Sequence, residues 1–386
     1  MLNRIHVIVL DSAGIGAAPD AADFNDLGCD TFGHISDFGV TLPNMEKLGL
    51  GMIKSMKGIK AIPDHKGYAG KLEEKSVGKD TLTGHWELMG VISQTPFPVY
   101  EKGFDKELLG KLEAFSGRKI ICNLPYSGTD VLRDYGEEHL KTGALIVYTS
   151  ADSVLQVAAH EEVVPLEELY KFCAYAREIT MAPPWLLGRI IARPFLGAQG
   201  NFSRTTGRHD YALSPPRETA LDYLKNAGLD VIAIGKINDI FNKQGITKAY
   251  STKGNMDGVD KAASVMKEDF TGLSFTNLVD FDMLYGHRRD LSGYAKALEA
   301  FDARLPELMG LMREDDLLVL TADHGNDPTF TGTDHTREYV PIIAYSPSMA
   351  SHGELPIGNF ADLAATICDN FGVQSPGGNS FLGHLS

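Results

Sequence analysis

The amino-acid sequence predicts an α/β fold in which helices flank a mostly parallel sheet. Short aliphatic runs recur along the chain, segments with helical periodicity separate some of them, and neither a repeat nor a low-complexity segment interrupts this pattern. Strands that alternate with helices are typical of parallel sheets covered on both faces. At 386 residues, 43% of them hydrophobic, the chain is long enough for one large domain and a smaller one.

Six aliphatic runs are the predicted strands. In chain order they are IHVIVL, ALIVYTS, DVIAIG, GLSFTNLV, DLLVLTA and PIIAYS. The first run is interrupted by His6 and stops at Asp11, so it is too short for a signal-peptide core or a membrane span. Residues 293–314 have the periodicity of a helix. Because ligands of open α/β sheets bind beyond the carboxyl ends of strands, the ends of these runs are the places to look for function.

The charge and cysteine content limit the classes of partner. Lys and Arg number 36 against 51 Asp and Glu, a formal net charge of -15, which argues against general affinity for nucleic acid or for an anionic membrane. An anionic substrate therefore needs a local reversal of charge. The four cysteines are scattered without a CxxC pair, as expected of reduced thiols in a cytoplasmic protein. No obligate protein partner is readable from the sequence.

Residues suited to binding metal ions follow three of the predicted strands and precede a fourth. In chain order they are Asp11, Asp282, His287, Asp323, His324 and His335. Carboxylate and imidazole ligands suit Mn, Zn or Fe, and two adjacent ions can hold the attacking and leaving oxygens of a phosphoryl group. A single Asp at a strand end is more often a cap or turn residue, but the convergence of six candidates favours a dinuclear site. Strand alternation does not choose between Asp280 and Asp282, and the spacing to Gly286 and His287 favours Asp282.

The stretch GKDTLTGHWELMG at 78–90 predicts a second part of the site. Asp80 and Thr81 follow a Gly-Lys turn and precede a predicted helix. A hydroxyl at a helix N-terminus lies among free backbone N–H groups that attract phosphate. Taken alone, this threonine would be interpreted as a helix cap. Opposite a dinuclear metal site, it is a candidate nucleophile.

A basic segment supplies the local reversal of charge. From Arg189 to Arg217 the chain contains five arginines and a single acid, Asp210. Guanidinium groups match the geometry of phosphate oxygens. The alternatives are a solvated basic loop and, less favoured, a contact with RNA.

Five longer stretches match motifs of a known family. They are DSAGIGAAPDA, GKDTLTGHWELMG, YTSADSVLQVAAHEEVVP, FTNLVDFDMLYGHRRD and TADHGNDPTFTGTDHTREYVP. Over essentially its whole length the chain resembles the bacterial phosphopentomutases of the alkaline phosphatase superfamily. The resemblance implies an alkaline phosphatase-like metal-binding core at 1–97 and 212–386, with an inserted, smaller α/β cap domain at 98–211.

The resemblance also implies an activity and its cofactors. Members of the family interconvert α-D-ribose 1-phosphate, or its 2-deoxy analogue, and the 5-phosphate in nucleoside catabolism, through a phosphothreonine and a ribose 1,5-bisphosphate. One Mn²⁺ would bind Asp282, His287 and His335, and the other Asp11, Asp323 and His324. Phosphorylated Thr81 would lie between the two ions as a further metal ligand, primed by a sugar bisphosphate such as glucose 1,6-bisphosphate.

By the same resemblance, five further residues would bind the substrate. Arg189 and Arg204, with Lys236, would hold the distal phosphate. Ser150 and Asp152 would contact the sugar, and Asp152 would accept hydrogen bonds from its hydroxyl groups. Two other enzymes of the superfamily share the metal ligands, namely a cofactor-independent phosphoglycerate mutase and a metal-dependent phosphatase. A phosphosugar sensor would share them too, but it would have no need of a hydroxyl at position 81.

Overall fold

The computed structural model of the protein describes residues 2–150 and 153–385, which fall into two compact units. The core unit consists of Met1–Thr95 and Pro215–Ser386, and the inserted unit of Pro96–Ser214. Each unit contains its own sheet.

All six predicted strands are present, and further strands accompany them. The strands are Arg4–Leu10 (β1), Tyr68–Glu73 (β2), Ile120–Pro125 (β3), Leu145–Thr149 (β4), Val154–His160 (β5), Arg189–Leu196 (β6), Ser203–Arg204 (β7), His209–Ala212 (β8), Asp230–Ile234 (β9), Lys248–Tyr250 (β10), Gly272–Leu278 (β11), Asp316–Thr321 (β12), Val340–Tyr345 (β13), Gly353–Glu354 (β14) and Gly358–Asn359 (β15). Two-residue strands such as β7, β14 and β15 are too short to be read from hydrophobic patterning.

The predicted helix at 293–314 is also present. The helices are Thr31–Phe38 (α1), Pro43–Leu48 (α2), Leu50–Ile53 (α3), Thr81–Leu88 (α4), Lys106–Ser116 (α5), Asp130–Thr142 (α6), Leu166–Ile179 (α7), Ala220–Asn226 (α8), Ile237–Ile240 (α9), Asn255–Met266 (α10), Leu291–Leu311 (α11) and Ala361–Phe371 (α12). Short 3₁₀ turns occupy Ala21–Phe24 and Leu382–His384, and a π-helical turn occupies Phe281–Gly286. In the part of the chain that the structure describes, no helix combines the length and the apolar character needed to cross a membrane.

The sheet of the core unit confirms the predicted α/β fold. Its strand order is β10-β9-β11-β1-β12-β13-β2-β14, and β15 also pairs with β2. The strands from β10 to β12 are parallel, whereas β13 runs antiparallel to both of its neighbours. Every residue of β1, β11 and β12 is buried, as expected of central strands covered by helices on both faces.

The register of the central strands places four chain segments at one edge of this sheet. Leu10 at the end of β1 pairs with Leu278 at the end of β11, and Val9 pairs with Thr321 at the end of β12. Because β13 is antiparallel, it begins at this same edge, and the segment that precedes it lies there. All six predicted metal ligands therefore belong to segments that meet there.

A buried ion pair closes the opposite edge of the sheet. Arg4 opens β1 and is paired in register with Asp316, which opens β12. The Arg4 Nε atom donates to Asp316 Oδ1 over 2.7 Å, and Nη1 donates to the carbonyl oxygens of Met266 and Glu268 over 2.8 Å. Arg4 thus joins β1 and β12 to the end of α10, at the far end of the strands from the candidate ligands.

The inserted unit is an α/β unit with a smaller sheet. Its strand order is β3-β4-β5-β6-β7, and β8 also pairs with β6. Leu108 of α5 and Leu169 of α7 pack with Val157 of β5 on one face. Val131 of α6 packs with Tyr148 of β4 on the other. Helices therefore cover both faces of this sheet.

Candidate functional site

Three of the predicted ligands form a compact group at the edge of the core sheet. Asp282, His287 and His335 each offer a ligand atom, and these atoms all lie within 4.8 Å of one another. His287 Nε2 lies 3.1 Å from Asp282 Oδ2, and His335 Nε2 lies 3.5 Å from Asp282 Oδ1. The two imidazole Nε2 atoms are 3.2 Å apart. The spacing is that of donors arranged around a common cation.

A second group shares one carboxylate with the first. Asp11, Asp282 and His324 offer ligand atoms that also lie within 4.8 Å of one another. His324 Nε2 is 3.5 Å from Asp11 Oδ1 and 3.3 Å from Asp323 Oδ2. The other oxygen of Asp323 accepts a hydrogen bond from the Ser12 backbone N–H over 3.1 Å. The structure thus brings all six predicted ligands together, and Asp282 belongs to both groups, whereas the family resemblance assigns it to one ion alone.

The hydrogen bonds around the imidazoles leave lone pairs facing the cluster. His287 Nδ1 donates to the carbonyl oxygen of Thr333 over 2.7 Å, and His324 Nδ1 donates to that of Gly325 over 3.1 Å. In the neutral ring, each Nε2 atom is then an acceptor, as a metal ligand must be. Within residues 2–150 and 153–385, the buried atoms Asp11 Oδ1 and Asp323 Oδ2 accept no hydrogen bond. The residues present therefore fit divalent cations.

The electrostatics of the cluster lead to the same conclusion. Burial, together with the nearby charges of Asp323 and Asp282, raises the pKa of Asp11 well above its usual value. Burial also lowers the pKa of His324 to about 4, so this imidazole is neutral at pH 7. Burial alone would raise the pKa of Asp282, but the charge of His335 and the hydrogen bond with His287 outweigh burial and hold this pKa well below its usual value. Carboxylates crowded in this way are stabilised by bound positive charge.

Thr81 is the first residue of α4, and its hydroxyl faces the cluster. Its Oγ1 atom lies 3.2 Å from His324 Nε2. Asp80 caps the helix by accepting hydrogen bonds from the backbone N–H groups of Leu82 and Thr83 over 3.0 and 3.2 Å. The prediction that Thr81 lies among free N–H groups is therefore wrong for these two donors, because the Asp80 carboxylate already occupies them.

The neighbouring threonine has a structural role. Thr83 is fully buried, and its Oγ1 atom donates to Asp80, 2.9 Å from the carbonyl oxygen and 3.0 Å from Oδ2. Asp80 and Thr83 thus form a reciprocal capping box at the start of α4. Of the two threonines in DTLTGH, only Thr81 presents its hydroxyl to His324.

Three polar residues of the site were not singled out by sequence reasoning. His85, one turn after Thr81 on α4, is fully buried, and its Nδ1 atom lies 2.9 Å from the Thr81 carbonyl oxygen and 3.0 Å from Asp323 Oδ2. Asn277 donates to Asp11 Oδ2 over 2.7 Å, and Asn326 donates to Asp282 Oδ1 over 2.7 Å. The spacing of four residues between Thr81 and His85 was the one available signal, since such residues share a helix face.

The choice between the two carboxylates of DFD depends on a change in backbone conformation. β11 ends at Leu278, and the chain then forms the π-helical turn, so the alternation of a strand does not apply to these residues. Asp280 Oδ2 accepts a hydrogen bond over 2.7 Å from the backbone N–H of Asn255, the first residue of α10. Asp280 therefore caps a helix, while Asp282 enters the ligand cluster.

The predicted substrate-binding residues belong to both units. Lys236 precedes α9 in the core unit, and its charge acts to lower the pKa of Asp11. In the inserted unit, Arg189 opens β6, Arg204 lies in β7 and Ser150 follows β4. Asp152 lies outside the described residues.

Positive charge is concentrated on part of the inserted unit. Burial raises the pKa of the Tyr148 hydroxyl, and the charges of Arg193, Arg204 and Arg208 oppose this shift. Burial acts to raise the pKa of Asp210, but the hydrogen bond from Arg208 and the charges of Arg208 and other arginines outweigh it and lower the pKa below its usual value. This is the local reversal of charge that the sequence predicts for an anionic substrate.

Comparisons with known proteins agree with the fold. A family model described as the Metalloenzyme superfamily matches residues 3–375. The structure is similar to that of Leishmania mexicana phosphoglycerate mutase at low cobalt concentration, with 13% identity and a TM-score of 0.50 over 97% of this chain and 96% of that chain. It also resembles the PH0037 protein of Pyrococcus horikoshii, with 16% identity and a TM-score of 0.49 over 96% of this chain and 97% of that chain. At such identities the likeness is one of fold alone.

Proposed function

Because the chain belongs to the Metalloenzyme superfamily, we propose that it is a metal-dependent phosphotransferase and, within that class, a phosphopentomutase. The reaction is the interconversion of α-D-ribose 1-phosphate, or 2-deoxyribose 1-phosphate, and the corresponding 5-phosphate. The observation that carries the proposal is the Thr81 hydroxyl, 3.2 Å from His324 Nε2, at the edge of a cluster of six metal-type ligands. The motif resemblance over the whole chain selects the pentose phosphate as substrate.

The ligand cluster is suited to two Mn²⁺ ions. Asp282, His287 and His335 would hold one ion. The other predicted ligands, Asp11, Asp323 and His324, would hold the second ion, with Asp282 near both. When bound, two divalent cations neutralise the charge of a phosphoryl group and hold its oxygens. This is the largest contribution expected for so resistant a bond, since enzymes accelerate phosphate monoester hydrolysis by up to about 10²¹-fold.

The chain itself positions the nucleophile. The capping box of Asp80 and Thr83 fixes the first turn of α4, and the contact of His85 with the Thr81 carbonyl oxygen fixes its orientation. With the Thr81 side chain so placed, a phosphoryl group on its oxygen faces the carboxylate cluster. A glucose 1,6-bisphosphate type of activator would supply that group initially.

The reaction then exchanges phosphoryl groups without net hydrolysis. As the bond between phosphorus and Thr81 Oγ1 breaks, a bond from phosphorus to O1 of ribose 5-phosphate forms and the O1 proton passes to Thr81 Oγ1, which gives ribose 1,5-bisphosphate and a free threonine hydroxyl. This intermediate reorients and returns its other phosphoryl group to Thr81. Water must be excluded throughout, because hydrolysis of the phosphothreonine would convert a mutase into a phosphatase.

Residues of the inserted unit and Lys236 supply substrate recognition in this proposal. Arg189, Arg204 and Lys236 bind the phosphate that is not reacting. Ser150 and Asp152 bind the sugar. The concentration of arginines around Tyr148, within an otherwise acidic chain, supports this assignment.

An activity assay tests the proposal directly. Purified protein with Mn²⁺ and glucose 1,6-bisphosphate should convert ribose 1-phosphate into ribose 5-phosphate with little release of inorganic phosphate. Turnover of phosphoglycerates instead would identify a phosphoglycerate mutase, and stoichiometric phosphate release a phosphatase. Binding of ribose phosphates without turnover would identify a sensor. Any of these three results would replace the proposed function.

A further inference from the structure

We infer that Arg337 is a positioning residue of this reaction, which holds the turn before Thr81 against the chain segment that carries His335. The inference rests on the proposed function for its catalytic consequence. Arg337 does not belong to the ligand cluster. It lies two residues after His335, is 2% exposed, and directs its guanidinium towards the segment that leads into α4.

The guanidinium group of Arg337 is saturated by contacts with two segments. Nη1 donates to Glu74 Oε2 over 2.8 Å and to the carbonyl oxygen of Gly78 over 2.7 Å, and Nη2 donates to the carbonyl oxygen of Glu74 over 2.7 Å. Nη2 and Nε also donate to the carboxylate of Asp20 over 2.9 and 3.1 Å. The planar guanidinium group has five N–H donors and reaches all these acceptors at once. A lysine ammonium group has three donors and cannot reach all of them.

A second set of contacts holds the same turn one residue further on. The backbone N–H of Arg337 donates to Asp26 Oδ2 over 2.8 Å, and Lys79 Nζ donates to that same oxygen over 2.9 Å. Lys79 Nζ also lies 3.3 Å from Asp334 Oδ2. Residues 78 and 79 are thus both tied to the 334–337 segment, immediately before the Asp80 cap. These contacts hold the start of α4 and the loop of His335 in a fixed position relative to each other.

The burial of these groups makes the arrangement sensitive to substitution. Glu74 is 2% exposed and has Arg337 as its counter-charge. Without the guanidinium, the buried carboxylate is uncompensated, and the Gly78 carbonyl loses its donor. The turn then shifts relative to the metal ligands. A displacement of about 1 Å between reacting groups costs on the order of 100-fold in rate.

The test compares Arg337→Lys with Arg4→Lys. Arg4 is a matched control because it is equally buried and donates to a carboxylate and two carbonyl oxygens of the same unit, at the opposite edge of the sheet. Three quantities are measured for both variants: Mn²⁺ affinity by calorimetry, kcat and KM for ribose 5-phosphate, and amide hydrogen exchange of a peptide covering residues 74–84. Melting temperatures are recorded in parallel.

For Arg337→Lys we expect kcat to fall by about 10- to 100-fold with KM and Mn²⁺ affinity nearly unchanged, and exchange in residues 74–84 to accelerate. For Arg4→Lys we expect a lower melting temperature with kcat and this exchange unchanged. An Arg337→Lys protein with the wild-type kcat and exchange would overturn the inference. So would a loss of Mn²⁺ binding in step with kcat, which would indicate general disruption of the site.

Lys79→Met provides a test that does not depend on the fold tolerating a change at Arg337. Lys79 is partly exposed and takes part in the second set of contacts but not in the first, so we expect a smaller drop in kcat with faster exchange of residues 74–84. Wild-type exchange and kcat in this variant would also count against the inference. If wild-type protein fails to convert ribose phosphates, the proposed function is wrong. The exchange and Mn²⁺ measurements then still decide whether Arg337 positions the turn.

Discussion

A single carboxylate, Asp282, lies close to ligands of both groups, and its contacts separate its role from that of Asp280. Asp282 Oδ1 accepts a hydrogen bond from Asn326, while its two oxygens lie within reach of His287 and His335. Asp280 instead holds the first turn of α10. Two carboxylates separated by one residue therefore have unrelated tasks, one at the site and one in a helix cap.

This difference predicts that the same isosteric substitution, Asp to Asn, has different effects at the two positions. Asp282→Asn should weaken Mn²⁺ binding by more than the roughly 10- to 100-fold typical of changes next to a metal ligand, because it removes a negative ligand atom shared by both groups. Asp280→Asn should retain metal binding and change stability little, because an amide oxygen can still accept the hydrogen bond from the Asn255 N–H. Calorimetric titration and denaturant unfolding measure the two effects. Equal metal affinity in both variants would contradict the assignment.

The two threonines of DTLTGH allow a test at the level of one oxygen atom. Thr81→Ala should retain the fold and its metal affinity but lose mutase activity by several orders of magnitude, because no phosphothreonine forms. Thr83→Ala should keep measurable turnover while losing about 1–2 kcal/mol of stability with its capping box. Peptide mass spectrometry after treatment with a sugar bisphosphate should locate the phosphate on Thr81. Phosphate on Thr83, or an active Thr81→Ala protein, would refute the assignment of the nucleophile.

At the scale of elements, the strands that could be predicted are those with continuous aliphatic runs. β1, β11 and β12 are buried at every residue, so their sequences are uniformly apolar. β2, with the sequence YAGKLE, and β6, which contains Arg193 and Pro194, have mixed patterns and were missed. The metal-type residues were predicted because they interrupt apolar runs at strand ends. His85, Asn277 and Asn326 were not, because their partners are distant in sequence and only the folded sheet brings them together.

One carboxylate joins several elements near the site. Glu338 is buried and accepts hydrogen bonds from the backbone N–H and the hydroxyl of Thr31, at the start of α1, over 2.9 and 2.7 Å. It also accepts from Thr336 Oγ1 over 2.7 Å and from the Gly16 N–H over 3.1 Å. Glu338 thus connects α1 and the loop after β1 to the segment that leads into β13.

The titration of Glu338 predicts a pH dependence of stability. Burial raises the pKa of Glu338 from 4.5 to about 7, so the folded state binds its proton more tightly than the unfolded state. This contribution is complete below about pH 4.5 and is lost as the pH rises through about 7, a change of about 3 kcal/mol. The stability advantage of wild type over Glu338→Gln should therefore shrink between pH 5 and 8. Denaturant unfolding of metal-free protein at several pH values measures it, and a constant difference would contradict the shift.

On the scale of the whole molecule, charge is divided unequally along the chain. The formal net charge is -15, yet the arginines from 189 to 208 surround Tyr148 and Asp210 in the inserted unit. An anionic substrate is repelled by most of the surface and attracted by this part. In the proposed function, recognition of the sugar phosphate and phosphoryl transfer therefore belong to different parts of the chain.

This division predicts a substrate-dependent effect of removing one charge. Arg204→Gln or Lys236→Gln should reduce kcat/KM for ribose 5-phosphate by about 10- to 150-fold, the scale of a charge-assisted contact of roughly 1.5–3 kcal/mol. Hydrolysis of a small aryl phosphate, which lacks the second phosphate, should change far less. Both rates are measured on the same protein preparation. Equal losses on the two substrates would mean that these residues support folding or the metal cluster instead.

Removal of metal should alter stability as well as activity. A chelator should abolish turnover and leave the helical content of the protein intact, and Mn²⁺ should restore activity. Because bound ions stabilise only the folded state, Mn²⁺ at about 100 times its Kd should add about 2.7 kcal/mol per bound ion to the free energy of unfolding. Thermal melts at several Mn²⁺ concentrations measure this, and full activity in metal-free protein would exclude a dinuclear mechanism.

The order of the strands also has a consequence for biosynthesis. Asp11 follows β1, but β11 and β12, which flank that strand, and the His335 loop are translated only after residue 271. A nascent polypeptide holding only the first half of the sequence has one of the six ligands and lacks both neighbours of β1. The full ligand set is therefore complete only after translation has passed His335, and products of termination within the first half have no partial centre with which to compete for a divalent cation.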